Sequence, residues 1–166
     1  MADDKPAGKG QPDRSPSLAE AARALVRTAK RGILCTLIPE DGFPYGSLAD
    51  LLPLPDGDVA LFLSRLAEHQ HFLAADPRAS LVVAPAINDP HALAKPRVTL
   101  VGRAEVVEDR AEFAEAYAAL HPDVRGYIHF PDFHFYRLHV ERVRYIAGFG
   151  QMGWIKGEAY RAAGVA

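Results

Sequence analysis

Apolar positions along the chain change their spacing several times, and each change predicts a new structural element. After residue 17 the apolar residues fall on one helical stripe, with arginine and lysine side chains outside it. This pattern predicts a helix that begins after a Ser17 cap and ends near Gly32. Residues 1–16 are rich in Lys, Asp, Gly and Pro and have almost nothing to bury, which predicts a disordered tail.

From residue 33 onward, short apolar runs alternate with Pro, Asp and Gly turns, which is typical of an antiparallel meander. The predicted strands cover 33–38, 45–52, 59–63, 80–84, 97–107, 133–140 and 142–149, with a tight link at residue 141 between the last two. A helix is predicted from Asp109 to Leu120, and Gly102 inside the longest strand indicates a bulge or bend. Residues 156–166 are predicted to be a loose tail. The predicted fold class is mainly β, an antiparallel split barrel of six or seven strands with flanking helices over residues 17–155.

The stretch 59–73 changes from a strand-like run to a helical pattern at Ser64. Ser64 is a suitable N-cap, and free helix amides beside Arg65 would make an anion site. On a helical wheel His69 and Gln70 flank Leu66 and a second leucine on the inward face. The alternative is that Arg65 is a solvated charge and that His69 lies at the core edge, bonded to backbone.

Composition narrows the function classes. The chain has 166 residues and a formal charge of −2, which argues for one domain and against a general nucleic-acid binder. Its single cysteine, Cys35, excludes an internal disulfide and is read as a small core residue rather than a nucleophile. No apolar run approaches the ~20 residues that span a bilayer. The expectation is a cytoplasmic protein that binds neither membrane nor nucleic acid.

Other constellations predict little chemistry. His69 and His71 are two positions apart and cannot share an ion on a helix, so no protein-only metal site is expected. Phosphate loops of the Gly-rich type and serine-nucleophile elbows are absent from the sequence. Arg137, Arg142 and Arg144 form either a solvated barrel face or a basic stripe for a polyanion.

Several short segments occur in an order that resembles a known family. The segments are GILCTL (32–37), PYGS (44–47), SRLAEH (64–69), DPRASL (76–81), RVTLVGRA (97–104) and GFG (148–150). Together they resemble the pyridoxamine 5′-phosphate oxidase-like split-barrel flavoproteins, and most closely their haem-utilisation branch. The resemblance covers nearly all of the chain that is expected to fold.

This resemblance implies a homodimer with FMN in the groove between subunits, and it assigns residues to that groove. The implied FMN-binding residues are Ser47, Ser64, Arg65, Leu66, His69, Arg97, Thr99 and Phe149. Ser64, Arg65 and His69 would surround the phosphate, and Ser47 would lie along the ribityl chain or near the ring. Arg97 and Thr99 would approach the isoalloxazine, and Phe149 would reach the cofactor from the other subunit; a plain strand-end turn is the alternative for the segment 148–150.

Two departures from the family pattern limit the expected activity. After Gly150 the charged residues are only Lys156, Glu158 and Arg161, so the Trp- and Arg-containing motif of the true oxidases is missing. No histidine follows His139, whereas the haem-utilisation branch carries histidine in a C-terminal extension. The predicted function is an FMN-binding protein, a flavin-dependent oxidoreductase of unassigned substrate. The alternative is a non-catalytic or haem-binding module that uses the same groove.

Overall fold

The computed structural model describes residues 16–148 and 150–164. The helices are α1 (Leu18–Arg27), α2 (Glu68–Ala75), α3 (Ala114–Leu120) and α4 (Gly157–Ala162), and the strands are β1 (Arg31–Leu37), β2 (Pro44–Pro53), β3 (Val59–Ser64), β4 (Arg78–Val83), β5 (Arg97–Val107), β6 (Phe133–Ile146) and β7 (Met152–Lys156). Short 3₁₀ turns lie at Ala92–Ala94, Arg110–Glu112 and Pro122–Gly126.

All strand pairings are antiparallel, and six strands close into a barrel. The sheet order is β3-β2-β1-β4-β5-β6-β7, and β3 also pairs with β6. β6 is long enough to serve two partners on one edge, because its first half pairs with β3 and its second half with β7. The predicted antiparallel split barrel with flanking helices is confirmed, as six barrel strands, one added strand and four helices.

Two hydrophobic clusters fill the molecule. The larger one lies inside the barrel and under α1, and it includes Leu34, Leu61, Leu100 and Leu138. The smaller one is aromatic and lies between β3, β6 and α3, around Phe135. The second cluster covers the outside of β3 and β6, the two strands whose pairing closes the barrel. It holds α3 and the segment between α3 and β6 against β3.

Two local predictions are confirmed, namely the Ser17 cap of α1 and the irregularity at Gly102. Ser17 caps α1 in a capping box, in which its hydroxyl accepts a hydrogen bond from Glu20 N while the Glu20 carboxylate accepts one from Ser17 N. The helix ends at Arg27, somewhat earlier than Gly32. The irregularity predicted at Gly102 is also present, because the β5–β6 register shifts between Val101 and Gly102.

The predicted link at Glu141 is wrong, because residues 133–146 form one continuous strand. Val101 pairs with Arg142 and Gly102 pairs with Val140, so Glu141 is the extra residue of a β-bulge rather than a turn. A Cβ at Gly102 would lie 1.9 Å from His139 O, which explains why the bulge needs glycine on the facing strand. The reversal lies after Ile146, where Gly148 and Gly150 have positive φ angles of 87° and 85°.

The predicted loose tail at 156–166 is also wrong for the part that the structure describes. Residues 152–156 pair with β6, and α4 then packs back on β6 and α1. Tyr160 is completely buried, and Gly157 lets the helix approach β6 so closely that an added Cβ would lie 2.7 Å from Val140 O. Apart from residue 16, the predicted N-terminal tail lies outside the described residues.

The helices α2 and α3 begin later in the chain than predicted. Ser64 does not cap a helix, because α2 begins at Glu68 and its N-cap is Ala67. Asp109 accepts a hydrogen bond from Ala111 N, but it caps a 3₁₀ turn, and α3 begins only at Ala114. Among the described residues no helix has both the length and the apolar character needed to cross a membrane.

Candidate functional site

A gap opens between β2 and β3 because their ladder has only three residue pairs. Leu51, Leu52 and Pro53 pair with the start of β3, whereas the earlier part of β2 pairs with β1 alone. The gap holds a cavity of about 170 Å³. Its lining includes Leu48 and Asp50 of β2, Phe62 and Ser64 of β3, and His69 of α2. Two of the predicted site residues, Ser64 and His69, therefore line the same cavity.

The turn from β3 to α2 is held by its own backbone and by the segment before β6. Ser64 Oγ accepts a hydrogen bond from Leu66 N (3.2 Å), and Ser64 O accepts one from Ala67 N (3.0 Å). Arg65 N donates to Asp132 O (2.7 Å). The alanine N-cap has no side chain that could bond to the first turn, and neither Glu68 N nor His69 N has a partner among the described residues. This start of α2 therefore has free amide donors.

His69 projects from α2 toward β2, and its Nδ1 lies 2.9 Å from Ser47 Oγ. Burial lowers the pKa of the His69 imidazole, so the ring is neutral at pH 7. The Ser47 bond then has two arrangements. If Nδ1–H donates to Ser47 Oγ, Nε2 keeps a lone pair; if the hydroxyl donates to Nδ1, Nε2–H is a hydrogen-bond donor.

Arg65 and Leu66 lie at the exposed tip of this turn. Leu66 is 86% exposed, so its predicted inward position is wrong, because the turn precedes the helix instead of forming its first part. Arg65 is exposed as well, and its guanidinium has no hydrogen bond or ion pair within the described part of the chain. It is a cation without a partner in that part of the chain, four residues before His69.

Arg97 and Thr99 lie elsewhere on the molecule. Both are on β5, three strands away from β2 in the sheet order, which corresponds to roughly 14 Å. The Arg97 guanidinium donates to Leu93 O (2.8 Å) within its own loop. The structure therefore brings Ser47, Ser64 and His69 together but separates Arg97 and Thr99 from them within one subunit. Phe149 lies outside the described residues.

Aromatic residues form one wall of the gap, and no motif in the sequence pointed to them. Phe62 stacks on Phe133 with ring centroids 5.0 Å apart, and Tyr127 stacks on Phe62 at 6.2 Å. Tyr117 completes the wall, and burial raises the pKa of its hydroxyl far above the usual value. The aromatic composition of residues 121–132 was the available signal, but its placement depends on α3.

The outer face of the sheet beside the gap is apolar and open. The register places one residue from each of six strands in a row, namely Leu48, Ile33, Val82, Thr99, Arg144 and Trp154. Leu48 is 66% exposed and Trp154 is 61% exposed. Thr99 thus belongs to a face that begins at the gap and continues across the sheet.

Comparisons with known proteins agree with this architecture. The sequence matches the family described as pyridoxamine 5′-phosphate oxidase over residues 18–147. The chloroplastic non-canonical haem oxygenase HOZ of Arabidopsis thaliana is 35% identical over 151 residues, which are 84% of this chain and 46% of that protein.

Solved structures give the same picture. A haem-binding protein from Mycobacterium smegmatis superposes with a TM-score of 0.81 and 37% identity, over 90% of this chain and 62% of that one. The chain therefore spans less than two thirds of the length of these two relatives. The haem storage protein HutZ from Vibrio cholerae, at 20% identity and a TM-score of 0.60 over 84% of this chain and 94% of its own, shares the fold. The chain belongs to the pyridoxamine 5′-phosphate oxidase family.

Proposed function

We propose that the chain binds haem at the gap between β2 and β3. The observation that carries the proposal is the neutral His69 imidazole, oriented by Ser47 through Nδ1. An imidazole whose second nitrogen is hydrogen-bonded is the usual form of a histidine metal ligand. Two relatives with more than 30% identity, named for haem binding and haem oxygenation, support the same cofactor.

The surroundings of His69 suit the other parts of a haem. Leu48 and the stacked rings of Phe62 and Phe133 are apolar surfaces for the porphyrin plane. Arg65, exposed and without an ion pair among the described residues, is available for a propionate. When bound, haem supplies a redox-active iron; the residues of the chain hold and orient it. We propose binding as the function and assign no reaction.

We further propose that two copies of the chain complete the site. A cavity of about 170 Å³ is smaller than a tetrapyrrole, so part of the cofactor must be covered from outside. The mostly apolar row that starts with Leu48 at the gap gives a second copy a surface to pack on. In such a homodimer the Thr99 face of one subunit would approach the gap of the other. A cytoplasmic location stays a prediction.

A second candidate is FMN, with a flavin-dependent oxidoreductase as the corresponding activity. It is favoured by the free amides at the start of α2, which lie beside Arg65 and Ser64. Backbone amides at a helix start, a guanidinium and a hydroxyl are suitable partners for a phosphate. In this case His69 would donate through Nε2–H, with Ser47 as the donor to Nδ1.

Titrations with hemin and with FMN separate the two candidates. We expect the purified protein to give a saturable Soret shift with hemin, and Ser47→Ala to weaken that binding roughly 10- to 100-fold through loss of ligand orientation. His69→Ala should change the haem spectrum itself. Arg125→Ala is the control, because Arg125 is an exposed arginine that pairs with Glu115 and is not among the residues that line the gap. Hemin binding with an unchanged spectrum in His69→Ala would refute the assignment of His69.

The expected pH dependence differs between the two cofactors. Protons compete with iron for the His69 lone pair, and the pKa of that ring is lowered by burial. Haem affinity should therefore be level above about pH 6.5 and should fall only at lower pH. FMN affinity should not fall in the same range, because a protonated His69 attracts phosphate. Tight FMN binding that is lost in Arg65→Ala, without haem binding, would establish the second candidate instead.

A further inference from the structure

We infer that a second, separate site binds a small organic phosphate in the cavity between α1, the β2–β3 turn and α4. This cavity has a volume of about 430 Å³, within the usual range for small-molecule sites. Three arginines line it: Arg23 and Arg27 from α1, and Arg161 from α4. None of its lining residues also lines the gap between β2 and β3.

Arg23 is a buried cation that pairs with no carboxylate of the described residues. Its exposed fraction is 6%, and it forms no ion pair with a described residue. The guanidinium donates to Pro55 O and lies 5.3 Å from the ring centroid of Tyr160. Its Nε has no hydrogen-bond partner within 16–148 and 150–164. Buried charges are normally paired, since an unpaired one loses its hydration without compensation.

Tyr160 is a second buried group with an unused polar atom. The side chain is completely buried, and its hydroxyl lies beside the Arg23 guanidinium without a well-formed hydrogen bond to any residue described. Burial raises the pKa of Tyr160 to about 12, against the opposing effect of the Arg23 guanidinium. The hydroxyl is therefore a neutral donor. Two buried donors without partners beside one cavity are uncommon in a folded protein.

The two aspartates of the β2–β3 turn do not pair with the arginines of this cavity. The Asp58 carboxylate accepts hydrogen bonds from Arg137 and Val140 N, and Asp56 also pairs with Arg137. Gly57, between the two aspartates, has a φ of +100°, and a Cβ there would lie 2.1 Å from Arg23 Nη1. The turn thus brings bare backbone against the guanidinium, while its carboxylates bond elsewhere. The arginines of the cavity keep an excess of positive charge.

The lining specifies the chemistry of the ligand. Guanidinium groups hold phosphate oxygens two at a time, and three of them favour a dianion over a single carboxylate. Val26, Leu54 and Pro53 supply apolar surface that an inorganic ion would leave uncovered. The best match is a phosphomonoester with a small ring or short chain attached.

The test is calorimetric titration of the full chain with phenyl phosphate. We expect saturable binding that Arg27→Ala, an exposed side chain without an ion pair to a described residue, weakens on the order of tenfold or more. Arg161→Lys, which keeps the charge but not the fork that bonds Val140 O, should weaken it less. Arg125→Ala is the matched control and should bind as the unmodified chain does.

Additional titrations distinguish this site from the proposed haem site. Phenol should not bind, and inorganic phosphate should bind more weakly than phenyl phosphate because it leaves the apolar lining uncovered. Saturation with hemin, or Ser47→Ala, should leave phenyl phosphate affinity unchanged, since the two cavities share no lining residue. Absence of saturable binding, or equal affinity in Arg27→Ala and the unmodified chain, would overturn the inference.

Discussion

Asp58 is predicted to be a main support of the barrel closure, and its replacement by alanine tests that role. The residue directly precedes β3 and is 5% exposed. Its carboxylate accepts hydrogen bonds from Val140 N (3.0 Å), Arg137 Nε (2.9 Å) and His139 Nδ1 (3.2 Å), all on β6. The first rung of the β3–β6 ladder, Val59 with Leu138, is adjacent. One side chain thus joins the two strands that close the barrel.

The expected loss of stability depends on which hydrogen-bond partners each donor keeps after Asp58 is replaced. Val140 N is buried and would lose its bond, which costs about 1–3 kcal/mol. Arg137 would lose its ion pair with Asp58 but would keep those with Asp56 and Glu112. The free energy lost at Arg137 is therefore smaller than when an isolated buried ion pair is broken. We expect Asp58→Ala to lower the free energy of unfolding by about 3–5 kcal/mol. Asp58→Asn, which retains an acceptor for Val140 N, should cost about half as much.

Urea unfolding at pH 7 measures this difference by linear extrapolation. Asp123→Ala is the control, because Asp123 is exposed and forms no hydrogen bond or ion pair with the described residues; its effect should lie within about 0.5 kcal/mol. The Asp58→Ala cost should persist in 1 M salt, since buried pairs are weakly screened. A cost below about 1 kcal/mol would show that the closure does not depend on this carboxylate.

Two further predictions concern the bulge and the open face. Gly102→Ala should destabilise the chain by on the order of 3 kcal/mol in the same urea assay, because its Cβ would overlap His139 O, whereas Gly126→Ala should be nearly neutral because nothing lies within 4 Å of a Cβ there. Leu48→Glu should convert the proposed dimer to a monomer, as measured by light scattering after size-exclusion chromatography. If Val106→Glu, at the far end of β5, lowered the measured mass equally, the choice of face would be contradicted.

Elements that depend on neighbouring residues could be predicted from the sequence. The α1 stripe and its Ser17 cap involve positions at most four apart, and both are confirmed. The bulge was indicated by Gly102, but its extra residue, Glu141, lies on the facing strand and resembled a turn between two apolar runs. Which residue is extra depends on the register between β5 and β6, and a single strand does not contain that information.

The C-terminal helix could not be predicted for a related reason. Residues 157–162 form a short helix with mostly small or charged residues, and local composition favours a loose segment. Its order comes from Tyr160, which packs between α1 and the β2–β3 turn, and from Gly157 against β6. These partners are distant in sequence. The cavity proposed for an organic phosphate was missed with it, since Arg23 and Arg161 come together only through this packing.

At the gap, the wrong prediction that Ser64 caps α2 bears directly on the predicted anion site, because both concern the first amides of this helix. Ser64 was expected to satisfy the first helix amides, but its hydroxyl bonds Leu66 N inside a turn, and α2 begins at Glu68 behind an alanine that cannot cap. The amides of Glu68 and His69 therefore have no partner within the described part of the chain, because the predicted capping does not occur. A capped helix beside Arg65 would have been a weaker anion site. Serine at residue 67 could accept a hydrogen bond from His69 N, so Ala67→Ser should stabilise α2 by roughly 1 kcal/mol and should weaken any ligand that uses that amide.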